Sequence, residues 1–116
     1  MTIKRIEAGS RMSQAVVHGD TVYLAGQVAL KNPGKPVREQ TKEILASIDR
    51  LLGEAGTDKS KLLSAQIWLA DIGKFSEMNE VWDAWLAPGS APARATVESK
   101  LAAPDFTVEI MVIAAR

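Results

Sequence analysis

An α+β fold, in which a mixed β-sheet carries two helices on one face, is what this 116-residue sequence predicts. Three observations predict it. Two segments repeat apolar residues at three- and four-residue spacing, and the segments around them alternate with period two. The resulting order, ββ-α-β-α-ββ, leaves each helix with a sheet face to cover, which is the two-layer α+β solution. The chain is 47% hydrophobic, enough for one core, and it reads as a single domain over residues 1–116.

Taken in order, Val16-Val17, His18-Gly19-Asp20 and Val22-Tyr23-Leu24-Ala25 form two short β-runs around a glycine turn. Strands are expected near 13–18 and 21–28, with an additional edge strand at 2–7. The stretch Leu30 to Pro36, with Asn32-Pro33-Gly34, breaks both helix and ladder and is a loop. Ile44, Leu45, Ile48, Leu51 and Leu52 then mark one face of an amphipathic helix that ends at Gly53 or Gly56. Residues 62–70, LLSAQIWLA, alternate with apolar character on both sides, as a central strand does. Phe75, Met78, Trp82, Trp85 and Leu86 define a second helix whose aromatic stripe reads as ordinary core, stopped by Pro88-Gly89. Two last strands, about 93–100 and 106–115, are expected to pair as an antiparallel hairpin.

Composition excludes several function classes. Lys and Arg total 14 and so do Asp and Glu, and no basic run appears, so a nucleic-acid partner is disfavoured. Zero cysteines remove thiolate catalysis and Cys-based metal sites, and one histidine leaves little for triad or metal chemistry. There is no HExxH or G-x-S-x-G setting, and no metal is expected. The N-terminal stretch lacks an apolar signal region, and no apolar run is long enough to span a bilayer, so no membrane partner is expected and a cytoplasmic location is. His18 reads as a solvated turn residue. Trp68, Trp82 and Trp85 read as core or subunit contact.

Arg94 and Glu109 are charges that a plain strand pair does not need. In a hairpin centred between Leu101 and Ala102, Arg94 lies opposite Glu109, and both point with Thr96 and Glu98 away from the helices. That second face is also partly apolar, with Met111 and Ile113 in the last strand, and a chain this short covers it most economically with copies of itself. Two readings of the charges stand side by side. They form an ion pair that holds register, or the arginine fork grips a substrate carboxylate while the glutamate orients a water.

The segments SQAVVHGDTVYLAGQVA, MNEVWDAW and APARATVESKLAAPDFTVEIMVIAA resemble the three signature regions of the Rid proteins, the reactive intermediate deaminases of RidA/YjgF type. Their order and spacing match as well, including the fifteen residues from Arg94 to Glu109. Among these proteins the sequence is most similar to the small YoaB-like members. The resemblance implies a chorismate-mutase-like fold, a homotrimer with clefts between subunits, and no cofactor. It implies hydrolysis of reactive 2-imino acids and their enamine tautomers, of the 2-aminoacrylate type, to 2-oxo acids and ammonia, as a 2-iminobutanoate/2-iminopropanoate deaminase does.

Position by position, the resemblance makes Arg94 and Glu109 the catalytic pair: Arg94 clamps the carboxylate and Glu109 orients the attacking water. The backbone N–H of Gly26 assists the clamp, and Asn79, Thr96 and Met12 complete the substrate-binding set. Met12, Ala25 and Thr96 stand where many members have Tyr, Ser and Cys. Those departures keep a second hypothesis open, a non-catalytic trimer that binds 2-oxo acids or similar carboxylates as a signal. Action on RNA ranks third, opposed by the neutral charge.

Overall fold

Alternation and helical spacing are realised closely. The computed structural model describes residues 1–116, with strands β1 (Ile3–Ala8), β2 (Ser13–His18) and β3 (Thr21–Leu24), helix α1 (Val37–Glu54), strand β4 (Leu62–Leu69), helix α2 (Phe75–Trp85), and strands β5 (Ala93–Glu98) and β6 (Val108–Ala115). The six strands form one mixed sheet in the order β1-β2-β3-β6-β4-β5. All neighbours are antiparallel except β4 and β5. The edge strand expected at 2–7 is present as β1. No helix is long and apolar enough to cross a membrane.

The helix α1 buries the stripe read from the sequence, Ile44, Leu45, Ile48, Leu51 and Leu52, against the sheet. Its end is set by Gly56, which takes φ +82°. There the Gly56 N–H reaches the Gly53 carbonyl at 3.1 Å and the Thr57 N–H reaches Leu52 at 2.9 Å, the paired closure that a left-handed residue permits. The helix also begins earlier than its apolar stripe suggests, because Gln40 is fully buried and fully bonded. Its amide donates to the carbonyls of Lys35 and Asp105 and accepts from the Thr107 N–H, at 2.9, 2.8 and 2.9 Å. Those three bonds tie the loop before β6 to the start of α1.

The hairpin expected for the last two strands does not form. The strands run antiparallel, but β4 lies between them: Arg94 pairs in parallel register with Ala65, and Glu109 pairs antiparallel with Trp68. A tight hairpin turn forces adjacency. The connection here runs from Ser99 to Thr107, with Ser99 N–H on the Leu69 carbonyl and Ala70 N–H on the Thr107 carbonyl, so it is long enough to pass over the end of β4. Arg94 is therefore not opposite Glu109.

The face assigned to Arg94 and Thr96 is corrected as well. Arg94 lies level with Ala65 and Thr96 with Ile67, and both of those β4 residues are buried towards the helices. Ala93, Ala95 and Val97 are the exposed set. Glu109 keeps its expected face: Val108, Ile110, Val112 and Ala114 are buried beneath the helices, and Glu109, Met111 and Ile113 stand on the other side. The open face is partly apolar as expected, since Tyr23 and Val97 are each 45% exposed beside Met111 and Ile113.

Candidate functional site

Six residues were expected at the site, and the chain gathers them in two groups. The first is at the outer edge of the sheet, beneath α2. Arg94 donates from Nη1 to the Asn79 side-chain oxygen at 2.8 Å, its single hydrogen-bonded partner within the chain. Its guanidinium carbon lies 5.6 Å from the Phe75 ring centre and 5.5 Å from that of Trp82, within the range of a cation over an aromatic face. Phe75, Asn79 and Trp82 are spaced four and then three residues apart on α2, so one helix face presents all three. Thr96 sits two residues beyond Arg94 on the same side of β5, and its hydroxyl is buried without a hydrogen-bond partner. No carboxylate pairs with Arg94.

The second group is where the chain leaves β3. Residues 25–29 bend away from regular pairing, and the Gln27 N–H and carbonyl close on Ile110 at 2.8 and 3.1 Å. That bridge lays Gly26 against Glu109, the residue just before Ile110. A β-carbon placed on Gly26 would stand 2.1 Å from a Glu109 carboxylate oxygen, so the glycine is there because the carboxylate occupies the space. The Gln27 amide fixes the bend by donating to the Gln14 side chain and to the Ala25 carbonyl, both at 3.0 Å. Ala25 N–H in turn bonds the Gln14 carbonyl at 2.9 Å, which brings Met12, two residues before Gln14 and half exposed, to this same end of the sheet. Glu109 is partly buried without a counter-charge, and burial raises its carboxyl above the usual glutamate value.

The two groups do not meet within one chain. Arg94 and Glu109 are two strand spacings apart and offset by the three residues from Ala65 to Trp68, about 14 Å from backbone to backbone at ordinary sheet dimensions. They also point to opposite faces. Sequence reasoning missed Phe75 and Trp82 as neighbours of the arginine because their stripe reads equally well as core. Trp82 and Met78 are indeed buried, but Phe75 is 39% exposed. It also missed the Gln14–Gln27 amide pair, whose only sequence signal is the polar residue after Gly26. No cluster of residues suited to hold a metal ion occurs.

Fold and placement define a class: a small α+β protein with a six-stranded mixed sheet, an arginine without an acidic partner at one edge, and a partly buried carboxylate on the other face. Known proteins share the fold. The family described as Endoribonuclease L-PSP matches residues 2–116, and the chain belongs to it; its members also carry the names RutC, YjgF and Rid. A RutC family protein of Haemophilus influenzae is 46% identical over 98% of both chains, and the RutC family protein YoaB of Escherichia coli is 44% identical over 99% of both. A crystal structure of a YjgF family member from Neisseria meningitidis superposes with a TM-score of 0.96 at 45% identity, covering 100% of this chain and 96% of that one. A Rid family protein from Yersinia pestis, described as of unknown function, superposes with a TM-score of 0.89 at 29% identity, covering 99% of this chain and 100% of that one.

Proposed function

We propose that this protein hydrolyses 2-imino acids and their enamine tautomers to 2-oxo acids and ammonia, as a cytoplasmic homotrimer without a cofactor. The site is shared between copies: Arg94, Asn79 and Thr96 come from one subunit, and Gly26, Glu109 and Met12 from its neighbour. The observation that carries this reading is the state of Arg94, a partly buried guanidinium with an amide and two rings around it and no acid beside it. A structural arginine at such depth is normally paired with a carboxylate. Here a small carboxylate substrate supplies that partner. The apolar open face, with Tyr23, Val97, Met111 and Ile113, favours the packing of copies that brings the two groups together.

With the substrate carboxylate on the Arg94 fork and on the Gly26 N–H, the imine carbon is fixed next to the neighbour's Glu109. Glu109 takes a proton from water as the oxygen attacks C2, and gives it to the nitrogen as the C=N π electrons move there. The same carboxylate then takes the proton of the new hydroxyl and passes it to the amino group as the adduct collapses to C=O, so that the C–N bond breaks and ammonia leaves with the 2-oxo acid behind it. A carboxyl raised by burial is suited to this exchange, because both its forms are accessible closer to neutral pH.

Semicarbazide trapping tests the reading. An amino-acid oxidase generates imines from several amino acids, and the semicarbazone formed is measured with and without the protein. Less trapped imine and faster appearance of 2-oxo acid are expected. No change in either, together with tight binding of pyruvate, would replace the enzyme with a carboxylate-binding trimer.

A further inference from the structure

Arg94 has a feature that the deaminase reading does not require. Its guanidinium is flanked by two aromatic rings from one helix, Phe75 and Trp82, at 5.6 and 5.5 Å, and the Asn79 oxygen between them in sequence accepts from Nη1 at 2.8 Å. We infer that Phe75 and Trp82 are positioning residues, which with Asn79 hold the guanidinium plane in place and leave its Nε–Nη2 edge directed at the substrate carboxylate. The inference rests on the proposed function for what the edge binds, but not for the geometry of the free protein.

The physical case is one of order prepared before binding. A free arginine side chain samples many rotamers, and a flexible clamp would lose that freedom on every capture of substrate. Two ring faces and one amide oxygen take up that ordering during folding, so a larger share of the fork's hydrogen-bond energy appears as affinity. The guanidinium is also weakly hydrated and stacks on aromatic faces, which a lysine ammonium does poorly. The arrangement further accounts for Phe75. A ring 39% exposed at the first position of α2 contributes little to the core, and a leucine would serve that packing equally well. What only a ring supplies at that place is its negative face towards Arg94.

Phe75→Leu removes the face while keeping an apolar side chain at an exposed position, and Phe75→Tyr restores it. Two measurements on the assembled protein read the result. The first is the Nε–H signal of Arg94 in a 15N–1H spectrum without ligand, assigned by its loss in Arg94→Lys. In the parent and in Phe75→Tyr it should be displaced by ring current from the other arginines, and in Phe75→Leu it should move towards them. The second is calorimetric titration with pyruvate, 2-oxobutyrate and 2-oxohexanoate. Phe75→Leu should weaken all three by the same factor, roughly three- to ten-fold, with the deamination defect in KM rather than kcat and with parent-like values in Phe75→Tyr. A parent Nε–H signal at the position of a free arginine overturns the inference. So does a loss that grows with substrate chain length, which would make Phe75 a wall of the side-chain pocket. If the parent binds no 2-oxo acid, the proposed function fails, and the Nε–H signal still decides whether the rings hold Arg94.

Discussion

Arg94 and Glu109 are separated by only fourteen intervening residues, yet the fold surrounds them in opposite ways. Arg94 is held on three sides, by Asn79 and by the rings of Phe75 and Trp82. Glu109 is held by nothing polar; it is pressed against the bare Gly26 backbone and its carboxyl is raised by burial. A group that binds benefits from being fixed in its charged state, whereas a group that moves protons benefits from having neither state strongly favoured. The contrast supports dividing the work between the two, with Arg94 as grip and Glu109 as acid–base group.

The comparison can be broken most sharply at Glu109. Glu109→Gln keeps size and removes the proton acceptor, so deamination should fall by a factor on the order of 10² or more while calorimetry still shows 2-oxo acid binding. The same variant tests the burial. Because the carboxyl is raised in the folded chain, the native state holds that proton more tightly than the unfolded one. Stability from this group is therefore present below the ordinary glutamate value and is lost as pH rises through the window up to the raised one. Thermal melts of Glu109→Gln across that window should lack the decline; parallel curves for the two proteins would mean that burial does not perturb the group.

Arg94→Lys challenges the other side. It keeps the charge and loses the planar fork, so binding of pyruvate should weaken by roughly 1.5–3 kcal/mol and turnover should fall with it. The chain should lose only about 1 kcal/mol in thermal melts, through the Asn79 bond and the ring contacts, since no ion pair depends on Arg94. A variant that binds like the parent would remove the clamp.

Gly26→Ala comes next. Its methyl group would stand 2.1 Å from the Glu109 oxygen, a contact that the carboxylate relieves by swinging away. Deamination should fall about ten-fold through misplacement of the base, with the fold preserved; a structure of the variant showing Glu109 unmoved would contradict this. The smallest effect belongs to Thr96→Val. It deletes a buried hydroxyl that lacks a partner, so the chain should gain about 0.5–1 kcal/mol in denaturant melts. A loss of pyruvate affinity along with that gain would show that the hydroxyl is kept for the ligand.

The candidate residues could be named from the sequence, but their arrangement could not. Arg94 and Glu109 were singled out as charges a plain strand pair does not need, Gly26 and Asn79 by the resemblance to the Rid proteins, and the chain brings Arg94 to Asn79 and Glu109 to Gly26. The reading that placed Arg94 across from Glu109 failed on a pairing rule. Residues 93–98 and 108–115 alternate correctly as strands, and alternation is blind to a third strand inserted between them. Phe75 escaped notice because a stripe at helical spacing looks the same whether its end faces a core or a guanidinium.

The sequence alone determined the elements, since helix and strand periods, the breakers Asn32-Pro33-Gly34 and Pro88-Gly89, and the cap at Gly56 act over a few residues and are written locally. Only the tertiary structure decided strand order and faces. Period two says that Arg94 and Thr96 share a side, and hydrophobicity would put Ala95 and Val97 towards the helices instead. The structure does the reverse, because what α2 offers at that edge is an amide and two aromatic rings, a surface suited to a cation and available only once helix and strand have packed.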